Sequence, residues 1–254
     1  MRCWIDIAAR KDGSRPPDLT CAWPHTGLPC RADIRYGSAQ AVMSAEGLPP
    51  ASLLLVHGAG SGPWVYEGWA EEFASVPVLA VDLHEGLDVE HASMADYADR
   101  VVCAAARLAT PVALCGWSLG GLVVLQAAER VAAHSVILLE ASASAEIQGF
   151  NANVELTHGT FDPEVVYGSF PPGVRARPES LLARAERKRG ISVPSLPCAS
   201  LVIYGDDFRE ERGLAIARLY GSQKRYIPGL DHWGVVQDRR VREAIAEFLG
   251  IPRP

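Results

Sequence analysis

An α/β fold built on a mostly parallel, doubly wound sheet follows from three features of this sequence. Short apolar runs alternate along the chain with longer segments whose apolar residues return every three or four positions. Several of those runs end in glycine-bearing turns and not in tight hairpins, as parallel strands joined by crossover helices require. The length of 254 residues, with 48% hydrophobic side chains, supplies a large core.

Taken in order, residues 1–50 are interrupted by Pro16, Pro17, Pro24, Pro29, Pro49 and Pro50. They read either as an irregular leader or as a pair of edge strands, Trp4–Ile7 and Ile34–Tyr36. Residues 51–254 carry the alternation and predict one α/β domain with an insertion. Leu53–Val56 is the first clear strand and runs into His57-Gly58-Ala59-Gly60-Ser61-Gly62-Pro63-Trp64. Val65–Ala74 reads as a helix and Val76–Val81 as a strand. Ser93-Met94-Ala95-Asp96 has the form of a helix start, followed by Met94, Tyr97, Val101, Ala104, Ala105 and Leu108 at helical spacing.

Pro111–Arg130 is the most structured stretch. Val112–Cys115 is a strand, Gly116-Trp117-Ser118-Leu119-Gly120 fits G-x-S-x-G, and Leu122–Ala128 continues as an apolar helix. Small flanking residues let a strand reverse sharply into a helix and leave the serine hydroxyl exposed. Val136–Leu139 is a strand apolar on both faces. Residues 141–196 break the alternation and predict a small helical lid, with Asp162-Pro163 and Arg177-Pro178 as helix openings. The sheet resumes with Ala199–Tyr204, a helix from about Glu210 to Tyr220, a strand at Lys224–Ile227 and a last helix containing Val241, Ile245, Phe248 and Leu249.

Composition narrows the function. A net charge of −6 with no basic surface stripe argues against a nucleic-acid partner. No membrane span is read, and the absence of a secretory start predicts a cytoplasmic protein. Of the six cysteines, Cys103, Cys115 and Cys198 lie in apolar patterns and read as buried thiols, while Cys3, Cys21 and Cys30 have no zinc spacing, so no metal or disulfide is assigned. His84 and His91 match no metal motif and read as a solvated loop.

A serine alcohol needs a base to take its proton and a carboxylate to orient that base. Ser118, the pair Asp206 and Asp207, and His232 follow different strands, and parallel pairing brings all of them to one sheet edge. Their order is Ser, Asp, His. Through HGAG, GWSLGG, GDD and DHWG, the chain from about Ser52 onward resembles the α/β-hydrolase superfamily, and HGAGSGPW followed by Trp69 is similar to its esterase and hydroxynitrile-lyase branch. The resemblance implies an α/β-hydrolase fold with Ser118 as nucleophile, His232 as general base and the backbone N–H groups of Ala59 and Leu119 as oxyanion hole. The orienting acid is expected at Asp207 first, Asp206 second and Glu140 third, because Phe208 stands where many members carry aspartate. Trp117 and Trp64 read either as walls of an apolar acyl pocket or as tryptophans packed under the sheet edge. The implied reaction is hydrolysis of a small ester or thioester through an acyl-enzyme, without a cofactor. A lyase, cyclase or acyl transferase using the same triad, and a non-catalytic receptor, stand as alternatives. Ser118 in place of aspartate sets the chain apart from haloalkane dehalogenases and epoxide hydrolases. Arg175, Arg177, Arg184, Arg187, Lys188 and Arg189 face only Glu179 and Glu186 in the same stretch. This basic run reads either as an ordinary helix end or as a receiver for an anionic group: a carboxylate, coenzyme A or an acyl carrier protein.

Overall fold

The computed structural model describes residues 49–252. The expectations for the leader, including Cys3, Cys21 and Cys30, lie outside the described residues. Six strands form the central sheet: β1 (Ser52–Val56), β2 (Val78–Val81), β3 (Val112–Trp117), β4 (Ser135–Leu139), β7 (Ala199–Tyr204) and β8 (Gln223–Tyr226), in the order β2-β1-β3-β4-β7-β8. Every pairing in it is parallel. Its central strands are buried on both faces, which is why they read as unbroken apolar runs. The edge strand β8 instead presents Gln223, Lys224, Arg225 and Tyr226 to solvent, a charged edge that resists pairing with another chain.

Alternate residues of each strand feed two cores, as the pleat dictates. Leu54, Val56, Leu114 and Leu138 pack with α2 (Met94–Ala105), α3 (Leu119–Val131) and α7 (Ala215–Tyr220). Leu53, Leu55, Cys115 and Ile137 pack on the other face with α1 (Trp69–Glu72), α8 (Gly234–Gln237) and α9 (Arg239–Leu249). The sheet is thus doubly wound, and this is the α/β-hydrolase architecture that the sequence predicts.

Local chemistry explains where the elements begin and where the expected ones change. At α2, the Ser93 hydroxyl accepts the Asp96 N–H at 3.1 Å and the Asp96 carboxylate accepts the Ser93 N–H at 2.9 Å, a complete capping box. The expected helix over Val65–Ala74 is split into a 3₁₀ turn, Pro63–Tyr66, and the short α1, because Gly68 between them takes a left-handed φ of 81°. The helix expected from Glu210 begins as a π-turn at Arg209–Leu214, with Gly213 pressed so closely on the Tyr204 ring that no side chain fits. Between β4 and β7 lie α4 (Ala145–Gln148), α5 (Pro163–Tyr167), α6 (Leu181–Arg189) and an antiparallel pair, β5 (Thr160–Phe161) with β6 (Glu179–Ser180). Asp162 caps α5 as expected. Arg177-Pro178 opens no helix: α6 starts three residues later, where the Ser180 hydroxyl accepts the Ala183 N–H at 3.1 Å. Cys115 is buried, whereas Cys103 is exposed and Cys198 half-buried, which corrects the expectation for those two thiols. Among the described residues no helix is long and apolar enough to cross a membrane.

Backbone contact at the end of β3 is closer than any side chain permits. A Cβ on Gly120 would lie 2.3 Å from the Val56 carbonyl oxygen and 2.4 Å from that of His57. Both obstacles are backbone and neither swings away. Gly120→Ala is therefore expected to destabilise the fold by about 1–3 kcal/mol through overpacking. In a circular-dichroism melt this is a fall of several degrees, whereas a shift within about 1 °C would show that the sheet edge yields freely.

Candidate active site

The carboxyl ends of β1, β3, β4, β7 and β8 meet at one edge of the sheet, the place where open parallel sheets bind ligands. Ser118 follows β3 and has φ 54° and ψ −118°, a strained conformation for a residue with a side chain. It is held there by bonds on both sides. Its N–H donates to the Leu139 carbonyl at 3.0 Å, and its carbonyl accepts N–H groups from Gly121 at 3.1 Å and Ser142 at 2.8 Å. On the neighbouring strand Trp117 pairs with Leu139, so Ser118 and Glu140 leave adjacent strand ends side by side. Glu140 also has a positive φ, 40°.

Glu140 is fully buried. One carboxylate oxygen accepts the Gly205 N–H at 2.9 Å, and the other lies 2.6 Å from His232 Nδ1. A carboxylate offers only lone pairs, so Nδ1 carries the proton in this pair and Nε2 is left free to accept one. His232 sits on the loop between β8 and α8. Its position is fixed from two further directions: its N–H donates to Asp207 Oδ2 at 2.9 Å, and its carbonyl accepts the Trp117 Nε1–H at 3.0 Å.

These contacts correct the expected acid. Asp207 holds the backbone of His232, not its ring. Asp206 accepts from the Tyr226 hydroxyl at 2.6 Å and the Gly229 N–H at 3.0 Å, tying the two loops after β7 and β8 together. Of the three, only Glu140 reaches the imidazole: it directly follows β4, which lies between β3 and β7. Of its two readings, Trp117 takes packing under the sheet edge. It is 2% exposed, and its ring packs 5.0 Å from that of His232 and 4.7 Å from that of Trp233, so it supports the histidine loop from behind and does not wall a pocket. Trp64 lies farther off, under the guanidinium groups of Arg175 and Arg177 at 5.4 and 5.1 Å.

The His57–Gly62 loop after β1 approaches from the other side. A Cβ on Gly58 would come within 3.1 Å of the Ser118 Cβ, so this loop lies against Ser118. Among the described residues no protein acceptor takes the N–H of Ala59, or that of Leu119 at the first position of α3, where a helix has no internal acceptor. The loop is fixed by a buried polar cluster that sequence reading missed. The Glu179 carboxylate accepts the Gly60 N–H at 2.9 Å, the Tyr97 hydroxyl at 2.5 Å and the Ser180 N–H at 2.9 Å, and lies 3.2 Å from His84 Nε2. Arg177 donates from Nε to the Ser61 carbonyl at 2.8 Å and forks onto both Asp82 oxygens at 2.6 and 3.0 Å. His57 completes the cluster. Burial lowers its basicity, and its Nε2 lies 3.1 Å from both the Leu83 N–H and Arg177 Nη2, so the neutral ring keeps its proton on Nδ1, 2.9 Å from the Gly58 carbonyl. Burial alone would raise the Asp82 carboxyl, yet the Arg177 fork and the His84 N–H at 2.9 Å hold it well below the usual carboxylate range. His84, expected in a solvated loop, is thus a buried partner. His91 does sit exposed, 2.9 Å from Asp88.

Glu179 carries a pH signature. Burial raises its pKa, but hydrogen bonds from His84, Tyr97 and the Gly60 N–H more than offset this and bring it from 4.5 down to about 2. A depressed carboxyl adds stability above its unfolded pKa and loses it as pH falls through the window from 4.5 towards 2. Glu179→Gln turns an amide donor towards at least one buried donor, a loss of roughly 2 kcal/mol or about 4–8 °C in Tm at neutral pH. Paired melts should show this gap shrinking below pH 4.5. A gap independent of pH would mean that the charge of Glu179 contributes nothing.

Residues 53–246 match the model of the alpha/beta hydrolase family. No curated protein matches the chain significantly. Among solved structures, the chain is similar to a structure described with LipS and LipT, two metagenome-derived lipolytic enzymes, at 19% identity and TM-score 0.56, covering 83% of this chain and 99% of that one. It is also similar to the type II thioesterase BorB from the borrelidin biosynthetic cluster, at 18% identity and TM-score 0.56 over 83% and 97% of the two chains. Polyneuridine aldehyde esterase aligns at 16% identity and TM-score 0.52 over 78% and 98%. At these identities the solved structures speak for the fold, and the family match covers most of the chain: this protein belongs to the alpha/beta hydrolase family.

Proposed function

We propose that the protein is a serine hydrolase that cleaves an ester or thioester of a small organic substrate through an acyl-enzyme. The observation that carries this reading is the 2.6 Å contact between His232 Nδ1 and the buried Glu140, at the strand end beside the strained Ser118. In this reading Ser118 Oγ attacks the acyl carbonyl as His232 Nε2 takes its proton, and the tetrahedral adduct collapses to the acyl-enzyme as the imidazolium gives that proton to the departing alcohol or thiol. The Glu140 carboxylate stabilises the imidazolium that forms and keeps the ring in the one productive tautomer. The N–H groups of Ala59 and Leu119 stabilise the oxyanion, and a water deprotonated by His232 releases the acid.

The Glu140→Gln and Asp207→Asn variants separate the two candidate acids. Glu140→Gln is expected to lower kcat by about 10³–10⁴-fold on a p-nitrophenyl ester, as an amide in this position favours the wrong tautomer. Asp207→Asn keeps an acceptor for the His232 N–H and should cost less than about tenfold. The reverse order would return the orienting role to the loop after β7. A fluorophosphonate probe should label the wild type and leave Ser118→Ala unlabelled; equal labelling of both would remove Ser118 as nucleophile.

A further inference from the structure

Two guanidinium groups, each one side chain removed from Ser118 or His232 and near enough for the charge of one to act on the other, have no carboxylate bound to either. Arg187, near the end of α6, donates from Nη1 to the Ser142 hydroxyl at 3.3 Å, and the Ser142 N–H is the one that bonds Ser118. Its other terminal nitrogen donates to the Tyr167 hydroxyl at 2.9 Å, and its buried Nε has no hydrogen-bond partner. Arg212, in the π-turn after β7, lies with Cζ 3.7 Å from the centre of the Phe208 ring, whose edge meets the His232 ring at 5.1 Å. Among the described residues neither arginine forms an ion pair.

Four of the other five cations of the basic run have partners elsewhere. Arg177 is bound to Asp82, Arg189 donates to the Val154 carbonyl, and Arg175 and Arg184 lie over the rings of Trp64 and Phe161. A helix end accounts for the place of Arg187 in the chain but not for its reach towards Ser142 and Tyr167. It does not bear on Arg212, which lies outside α6, in the π-turn after β7. Burial and the nearby charge of Arg187 both disfavour the charged form of Arg212. Glu140, Glu211 and Tyr167 act in the opposite sense, but Glu140 is already committed to His232 and Gly205. Two like charges, partly desolvated and left without a counter-ion next to the reacting centre, are stabilised when an anion sits between them.

We propose that Arg187 and Arg212 form a carboxylate-binding subsite, so that the preferred substrate is an ester or thioester bearing a free carboxylate a few bonds from the scissile carbonyl. This rests on the hydrolase reading above. The guanidinium forks hold the carboxylate, Tyr167 and Ser142 set the orientation of Arg187, and the anchored substrate presents its carbonyl to Ser118.

The test compares matched esters that differ in one charge. The pair p-nitrophenyl hemiglutarate and p-nitrophenyl valerate places the carboxylate in the acyl part; the pair 3-acetoxybenzoate and phenyl acetate places it in the alcohol part. In the wild type, the ratio of kcat/KM for anionic over neutral ester should exceed one for at least one pair, and which pair tells the side of the scissile bond. In Arg187→Gln and in Arg212→Gln that ratio should fall at least about tenfold, the scale of one lost charge-assisted bond. Arg212→Lys should recover part of it and Arg184→Gln should keep the wild-type ratio. A ratio unchanged in the glutamine variants, or lowered as much by Arg184→Gln, overturns the subsite. Calorimetric binding of monomethyl glutarate to Ser118→Ala tests the subsite without turnover: it should weaken about tenfold when Arg212→Gln is added. Binding that behaves so in a protein without esterase activity would keep the subsite and sink the hydrolase reading; binding indifferent to Arg212 would do the opposite.

Discussion

The approach of three backbone segments with nothing between them governs the geometry of this site. At Gly116, Gly120 and Gly121 a side chain would meet backbone or Cβ atoms at 2.2–2.3 Å, against α3, the end of β1 and Ala141 in turn. That closeness is what turns β3 sharply into α3 and lifts Ser118 clear of the sheet. It also sets Ser118 between the loop after β1 and the end of β4. Moving any of these segments outward by the radius of a methyl group would separate the serine from the groups on either side. The left-handed φ values of Ser118 and Glu140 are strain stored by the same packing, and the buried ladder around them holds it.

Charge is spent very unevenly across the molecule. Exposed pairs such as Arg225–Glu247 and Arg239–Glu243 contribute at most about 1 kcal/mol each. The buried carboxylates of Glu140 and Glu179 are different in kind, because removing a partner from either leaves a desolvated group unsatisfied, a loss of order 3–5 kcal/mol. One of them orients the histidine and the other fixes the loop at Gly60. Both are fully desolvated and both accept a backbone N–H from a distant segment. The candidate chemistry is thus bracketed by two carboxylates whose loss the fold itself registers.

Reading the sequence located the sheet, the elbow and His232 because each has a local cause: apolar runs for strands buried on two faces, glycine where backbones touch, a polar loop after a strand. The acid was harder. Its position depends on which strand end lies under the imidazole, and that is a property of strand order in space, invisible to spacing along the chain. Glu140 did carry a signal, as a lone charge closing an otherwise apolar strand. The Glu179 cluster carried none. Charge counting set Arg177 and Glu179 among the residues of a basic surface, whereas each has its partner some eighty to one hundred and twenty positions earlier in the chain. The split of the Val65–Ala74 helix was legible in principle from Gly68, whose positive φ no periodicity reports.

Locating the histidine's partner at the end of β4 has an effect on what is free to vary. Serine and carboxylate stand on two neighbouring strands in the middle of the sheet, where a ladder of backbone bonds fixes their separation. The segment after β7 is thereby released from carrying the acid. It already holds a π-turn, a stretch of helix with a residue more than the α-helical repeat needs, and from it project Phe208 and Arg212. Gly205 and Asp207 at its start still hold Glu140 and the His232 loop, so under the proposed hydrolase reading it is replacements farther on, at Arg212, that would alter substrate preference while the Glu140–His232 pair stays in place. On that reading, the choice of substrate and the reaction performed on it rest on different side chains.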